Sequence, residues 1–148
     1  MKLEIQLLSE EKVIHIAPLF DAYRTFYKQE SDIVEATHFL QERVRNKESI
    51  ILAAKIKNGY VGFIQLYPTF SSVAMKRAFI LNDLYVDERF RRQGVANELM
   101  KAAFQFAVDN GARFITLETG TNNIKAQALY EKMGMVTEND VKHYMYYW

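Results

Sequence analysis

Between Ala78 and Asp109 the chain reads as a strand, a short turn and a helix, and this succession limits the fold more than any other stretch. Ala78 to Val86 is an apolar strand-like run, and Val95 to Asp109 has helical amphipathic spacing. Asp87-Glu88-Arg89-Phe90-Arg91-Arg92-Gln93-Gly94 joins them. The first N–H groups of a helix lack internal partners, and the helix dipole places roughly +0.5 charge there. A pyrophosphate fits such a helix start when side chains stay clear of it. Gly94 removes one side chain, Ala96 nearly removes another, and Arg91 and Arg92 add positive charge. Taken alone, Arg89, Arg91 and Arg92 read as a solvated basic turn; phosphate contact is favoured because Gly94 follows.

A chain of 148 residues has room for one domain with a real core, so a single domain over 1–148 is expected. A formal net charge of +1 gives no reason to expect a nucleic acid or an anionic membrane as partner. The absence of cysteine excludes disulfides, thiolate metal sites and a cysteine nucleophile. His15, His38 and His143 are scattered through different elements, so no metal site is expected. Met1 to Gln6 lacks the apolar core of a signal peptide, and no run reaches the ~18 apolar residues of a membrane span. A cytoplasmic location is the default.

Lys2 to Leu8 alternates as a half-buried strand, and Ser9 reads as the cap of a helix continuing through Phe20 to Tyr27, with a kink at Pro18. Asp32 and Glu35 form a capping pair for a second helix carrying Phe39, Leu40 and Val44. Ser49–Ile56 and Tyr60–Tyr67 are strands joined by Asn58-Gly59, a strong hairpin signal. Pro68 to Lys76 reads as a polar connection before the strand at Ala78. Asn110-Gly111 ends the helix at Val95–Asp109, Phe114–Leu117 is a short strand, and Asn123–Met133 is a helix stopped by Gly134. A short strand at Met135–Glu138 and an aromatic strand at Lys142–Trp148 complete a mixed α/β pattern.

The spacing Arg91-x-x-Gly94-x-Ala96 resembles the R/Q-x-x-G-x-G/A signature of the GNAT superfamily of N-acetyltransferases. Asn123-Ile124-Lys125-Ala126-Gln127-Ala128-Leu129-Tyr130-Glu131-Lys132-Met133-Gly134-Met135 resembles the family's second hallmark, N-x-x-A-x-x-L-Y-x-K-x-G-F, with Met135 in place of phenylalanine. The two motifs stand in the family's order, and the succession of elements matches along essentially the whole chain. The resemblance implies a GNAT-like fold: a central mixed β-sheet with splayed parallel strands, flanked by helices. It also implies acetyl-CoA as cosubstrate, an amine acceptor and no metal.

On that resemblance the strands ending near Val86 and Glu118 splay apart, leaving backbone amides for the pantetheine arm. Leu84, Tyr85 and Val86 would line that arm. Arg91, Arg92, Gln93, Gly94, Val95, Ala96 and Asn97 would hold the pyrophosphate, and Asn123 and Ala126 would hold the arm from the other side. Tyr130 would direct its hydroxyl to the thioester sulfur; a phenol with pKa about 10 keeps its proton at neutral pH and can donate it. Read without the motif, Tyr130 is a buried structural tyrosine and Asn123 a helix cap.

Acyl transfer needs a neutral amine, and a lysine-like amine is only about one part in a thousand neutral near pH 7.4. Asp83 and Glu118 are the candidate bases, with proton removal through water and backbone as the other route. Ile80-Leu81-Asn82-Asp83-Leu84-Tyr85-Val86 resembles polyamine acetyltransferases, which carry a Glu-Asp pair at the positions of Asn82-Asp83. With Tyr67-Pro68-Thr69-Phe70-Ser71, the chain looks like the histone- or polyamine-acetyltransferase-like branch. The change removes a carboxylate at 82. Tyr27, Glu30, Tyr67, Asn82 and Asp83 are the expected acceptor contacts. Aromatics beside Glu30 and Asp32 would hold a cation, or Asp32 simply caps its helix. The aromatic end, Tyr144 to Trp148, predicts a homodimer through a C-terminal strand. The alternative to an enzyme is a catalytically silent acyl-CoA-binding sensor or scaffold.

Overall fold

A five-stranded sheet organises the first of two units in the computed structural model, which describes residues 1–148; the units are Met1–Glu118 and Thr119–Trp148. The strands are β1 (Glu4–Leu7), β2 (Ile50–Ile56), β3 (Gly59–Ser71), β4 (Lys76–Val86) and β5 (Ile115–Thr116), side by side in that order. The first four are antiparallel, and β5 joins β4 in parallel. Asn58-Gly59 makes the expected tight hairpin, with Gly59 at φ +146°, a backbone conformation that a side chain would strain.

β3 is longer than the sequence suggested. Pro68, expected in a connection, pairs with Phe79 inside the ladder. Proline is tolerated there because β2 begins opposite Leu66, so the edge where the Pro68 N–H is missing has no strand beside it. Only Ser72–Met75 remains as the turn.

One irregularity interrupts β3 and β4: Leu66 pairs with Leu81 but Gln65 with Asp83, so Asn82 is an extra residue. Side chains alternate along a strand, so one inserted residue exchanges the faces of all that follow. Before the bulge Phe79 meets Phe106 at a ring distance of 5.7 Å; after it Tyr85 packs on the opposite face.

That opposite face carries the helices α1 (Ala17–Phe26) and α2 (Ile33–Arg45), whose Phe20, Ala36 and Leu40 bury against Ile51, Ala53 and Phe63. The first face carries α3 (Val95–Asp109), so close at Gly62 that a Cβ there would stand 3.3 Å from both Leu99 and Val95. Asp32 caps α2 as expected, accepting from the Glu35 N–H at 3.1 Å. Ser9 does not cap α1. Its carbonyl closes a turn with Lys12 and Val13, a 3-10 turn covers Val13–Ile16, and Pro18 sits in the first turn of α1. A proline without an N–H is harmless where that N–H would be unpaired anyway, so the expected kink is a helix start.

The second unit contains α4 (Ile124–Lys132), capped by Asn123, which accepts from the Ala126 N–H at 3.3 Å. Neither strand expected after it forms. Aromatic residues favour strands only where a neighbouring strand supplies the ladder, and this unit holds no other strand. Tyr144, Tyr146, Tyr147 and Trp148 are exposed.

Candidate active site

The parallel pairing of β4 with β5 covers only Phe79↔Ile115 and Ile80↔Thr116, after which β4 continues alone to Val86. The Asp87 N–H donates to the Val61 carbonyl at 2.8 Å, so alternation turns the N–H and C=O of Val86 and Leu84 away from β3, to the edge β5 leaves open. The Val86 carbonyl is met there by Arg91, whose Nε donates to it at 2.9 Å. The splay predicted for the two parallel strands is present, with Leu84 and Val86 on the opened edge and Tyr85 facing the α1–α2 side.

The turn that follows sorts its three arginines. Asp87 accepts from the Arg89 backbone N–H and from its guanidinium at 2.9 and 3.2 Å, which holds the Asp87 carboxyl below the usual range. Arg91 folds back over the Tyr85 ring at 5.3 Å. Arg92 and Gly94 take φ +63° and +84°, coiling the chain into the start of α3. Gly94 is the residue before the helix, with no side chain capping the first turn and open space where its Cβ would be. Val95 is buried under the helix start, while Gln93 is exposed and Ala96 and Asn97 half-buried around it. Uncapped N–H groups beside a glycine make an anion cradle.

On the α1–α2 face the bulge delivers Asp83 into a buried polar chain. Ser49 Oγ donates to Gln65 Oε1 at 2.6 Å, and Gln65 Nε2 donates to Asp83 Oδ2 at 2.5 Å. Asn82 Nδ2 lies 3.2 and 3.3 Å from the two Asp83 oxygens, and the Tyr23 hydroxyl also bonds this carboxyl. Burial pushes the Asp83 carboxyl up and outweighs the opposing hydrogen bonds from Gln65, Tyr23 and Asn82. Tyr67 is pushed up to about 12, first by burial and then by the negative charge of Asp83.

Asp83, Asn82 and Tyr67 thus come together. Tyr27 joins through Tyr23, ring to ring at 5.0 Å. Glu30 is not among the partners of Asp83; its carbonyl accepts from Arg24 at 3.2 Å, and Glu118 is exposed beyond the end of β5. Gln65, Ser49 and Tyr23 were missed by sequence reasoning. Gln65 carried a signal: it is the one polar residue in the run Val61–Leu66. In the second unit, Asn123 and Ala126 form the cap of α4, and Tyr130 is half-buried on the same helix.

Residues 16–135 match the sequence profile of the acetyltransferase (GNAT) family. The chain belongs to the GNAT family. It is 49% identical over 129 residues to the uncharacterized N-acetyltransferase YhfO of Bacillus subtilis, 87% of either chain. It is 35% identical over 104 residues to human N-acetyltransferase 8, covering 70% of this chain and 43% of that protein. A crystal structure of a probable acetyltransferase superposes with a TM-score of 0.91 at 39% identity, covering 97% of this chain and 96% of that one. In this GNAT protein no helix is long and apolar enough to cross a membrane, and no cluster of His, Asp or Glu is placed to hold a metal ion.

Proposed function

We propose that this GNAT protein transfers an acetyl group from acetyl-CoA to a primary amine by direct attack in a ternary complex. The observation that carries the reading is the open edge of β4 at Leu84 and the Val86 N–H, leading past Arg91 on the Val86 carbonyl into the uncapped, glycine-fronted start of α3. The edge offers peptide-like hydrogen bonds to a pantetheine arm, and the helix start offers N–H groups and positive charge to a pyrophosphate. Acetyl-CoA, when bound, supplies the activated acyl group as a thioester.

The chain's own residues handle protons and position. Asp83 accepts a proton from the incoming ammonium, leaving a neutral amine to form the C–N bond. As the C–S bond breaks, the Tyr130 hydroxyl donates a proton to the leaving sulfur, and the second proton lost by the acylated nitrogen restores the phenol; the role of Tyr130, like those of Asn123 and Ala126, is supported by the second motif. Glu118 is a weaker candidate than Asp83, because it is exposed beyond the end of β5 and is not held in the buried polar chain that fixes Asp83. The exposed aromatic end from Tyr144 to Trp148 supports a homodimer, and a monomer mass at micromolar concentration would count against it.

The test is free-thiol release from acetyl-CoA over an amine panel, alongside direct acetyl-CoA binding. Gly94→Glu should abolish binding through repulsion at the cradle, and Tyr130→Phe should lower turnover while sparing binding. Tight binding retained in Gly94→Glu overturns the pyrophosphate assignment. Acetyl-CoA binding without thiol release on any amine would favour the silent acyl-CoA-binding module.

A further inference from the structure

Charged carboxylates taken out of water normally have a cation beside them, because burial penalises the ion. Asp83 is 4% exposed, and its partners Gln65, Asn82 and Tyr23 are all neutral. The groups facing it from neighbouring elements are phenols: Tyr67 on β3, Tyr23 on α1 and, beyond Tyr23 at a ring distance of 6.1 Å, Tyr85 on β4. The cation closest in effect is Arg43 on α2, which acts on Tyr67 and is already paired with Glu42 and Glu48 at 2.9 and 3.0 Å.

The polar chain behind Asp83 is directional. Ser49 is 3% exposed and Gln65 0%, and the serine hydroxyl occupies Gln65 Oε1. The amide is thereby fixed with its N–H₂ toward Asp83, since a flipped amide would set two acceptors against each other. Apolar residues at 49 and 65 would fill this part of the core without such a network. A fully satisfied buried network rigidifies the group at its end, here a carboxylate whose partners Gln65, Asn82 and Tyr23 carry no positive charge.

Resting on the acetyl-transfer reading, we propose that Ser49 and Gln65 are positioning residues that hold Asp83 for a cation the protein does not supply. The acceptor is then a linear alkylammonium compound, not an α-amino acid. Asp83 receives the ammonium group, and the rings of Tyr23 and Tyr67 border the alkyl chain. An α-amino acid would carry its own carboxylate to within one carbon of the ammonium, and that second negative charge would stand against Asp83 in a poorly solvated place.

Pentylamine, Nα-acetyl-lysine amide, glycine and alanine would be compared as acceptors, and pentylammonium binding would be measured by calorimetry on wild type and Asp83→Asn. The first two acceptors should exceed the amino acids about 100-fold in kcat/KM, and Asp83→Asn should lose pentylammonium binding. Equal or greater turnover of glycine and alanine overturns the acceptor class while acetyl transfer stands. If no amine is acetylated, acetyl transfer fails, and the calorimetry alone decides: binding lost in Asp83→Asn supports the cation site, and unchanged binding removes it.

The relay has its own readout. Gln65→Leu removes a hydrogen bond to the charged form of Asp83, so the acid limb of kcat/KM should move up by about one pH unit. Ser49→Ala, the milder change, should move it less in the same direction. Variants that lose activity with an unmoved limb would make both residues merely structural.

Discussion

Asp21 and Asp83 are both poorly exposed carboxylates held by neutral donors, yet their surroundings push them in opposite directions. Asp21 accepts from Ser31 Oγ at 2.5 Å and from the Asp32 N–H at 2.8 Å, and these bonds hold its carboxyl below the usual range against a smaller effect of burial. At Asp83 the order reverses, and burial outweighs the bonds from Gln65, Tyr23 and Asn82. The first carboxylate ties α1 to the loop before α2, and its charge helps the fold. The second sits within the sheet face, and its charge works against the fold. A group kept in its costly state is a candidate for function, whereas a group kept in its favourable state is explained by structure.

The sharpest way to break this contrast is to neutralise Asp83. Asp83→Asn keeps the shape and removes the proton acceptor, so turnover should fall about 100- to 10,000-fold. Its thermal midpoint should hold or rise, because a buried charge without a cation has been removed. Retained turnover with a lowered midpoint would place Asp83 with Asp21 as a structural carboxylate. The converse change is smaller. Asp21→Ala should lose about 1–2 kcal/mol of stability, as Ser31 Oγ and the Asp32 N–H lose their acceptor. Turnover should fall only modestly, through Tyr27 on the loop that Asp21 ties down. Urea unfolding reads the stability, and an unchanged midpoint would deny the staple.

Sequence reasoning reached one side of this comparison better than the other. Local signals were legible: α3 runs from Val95 to Asp109 as its spacing indicated, Asp32 caps α2, and Asn58-Gly59 turns the hairpin. The glycine-fronted, uncapped start of α3 was legible too, because glycine placement and helix start lie within a few residues of each other. The Asp83 chain was not. It depends on Asn82 being an extra residue, and a pattern of alternation shows no inserted residue until the partner strand is known. Ser49 and Gln65 meet only through strand pairing, sixteen residues apart in sequence. Lys142–Trp148 failed for the opposite reason: composition favoured a strand, but strand formation is decided by a neighbour that composition does not report.

The smallest expected effect separates the two carboxylates by sign. The Asp83 carboxyl titrates higher in the fold than in the unfolded chain. Its favourable contribution is therefore complete below the ordinary carboxylate range and is lost as pH rises through the raised value. The Asp21 carboxyl titrates lower in the fold. Its contribution is present above the ordinary range and is lost as pH falls through the depressed value. Unfolding curves taken from acid to neutral pH should show Asp83→Asn gaining on wild type as pH rises. Over the same series Asp21→Ala should fall behind wild type, its deficit widening toward neutrality. Curves that run parallel to wild type in both variants would mean that neither carboxyl titrates differently in the fold, and the contrast between staple and acceptor site would lose its electrostatic basis. Opposite slopes would tie it to the ionised carboxylates themselves, independently of any measurement of turnover.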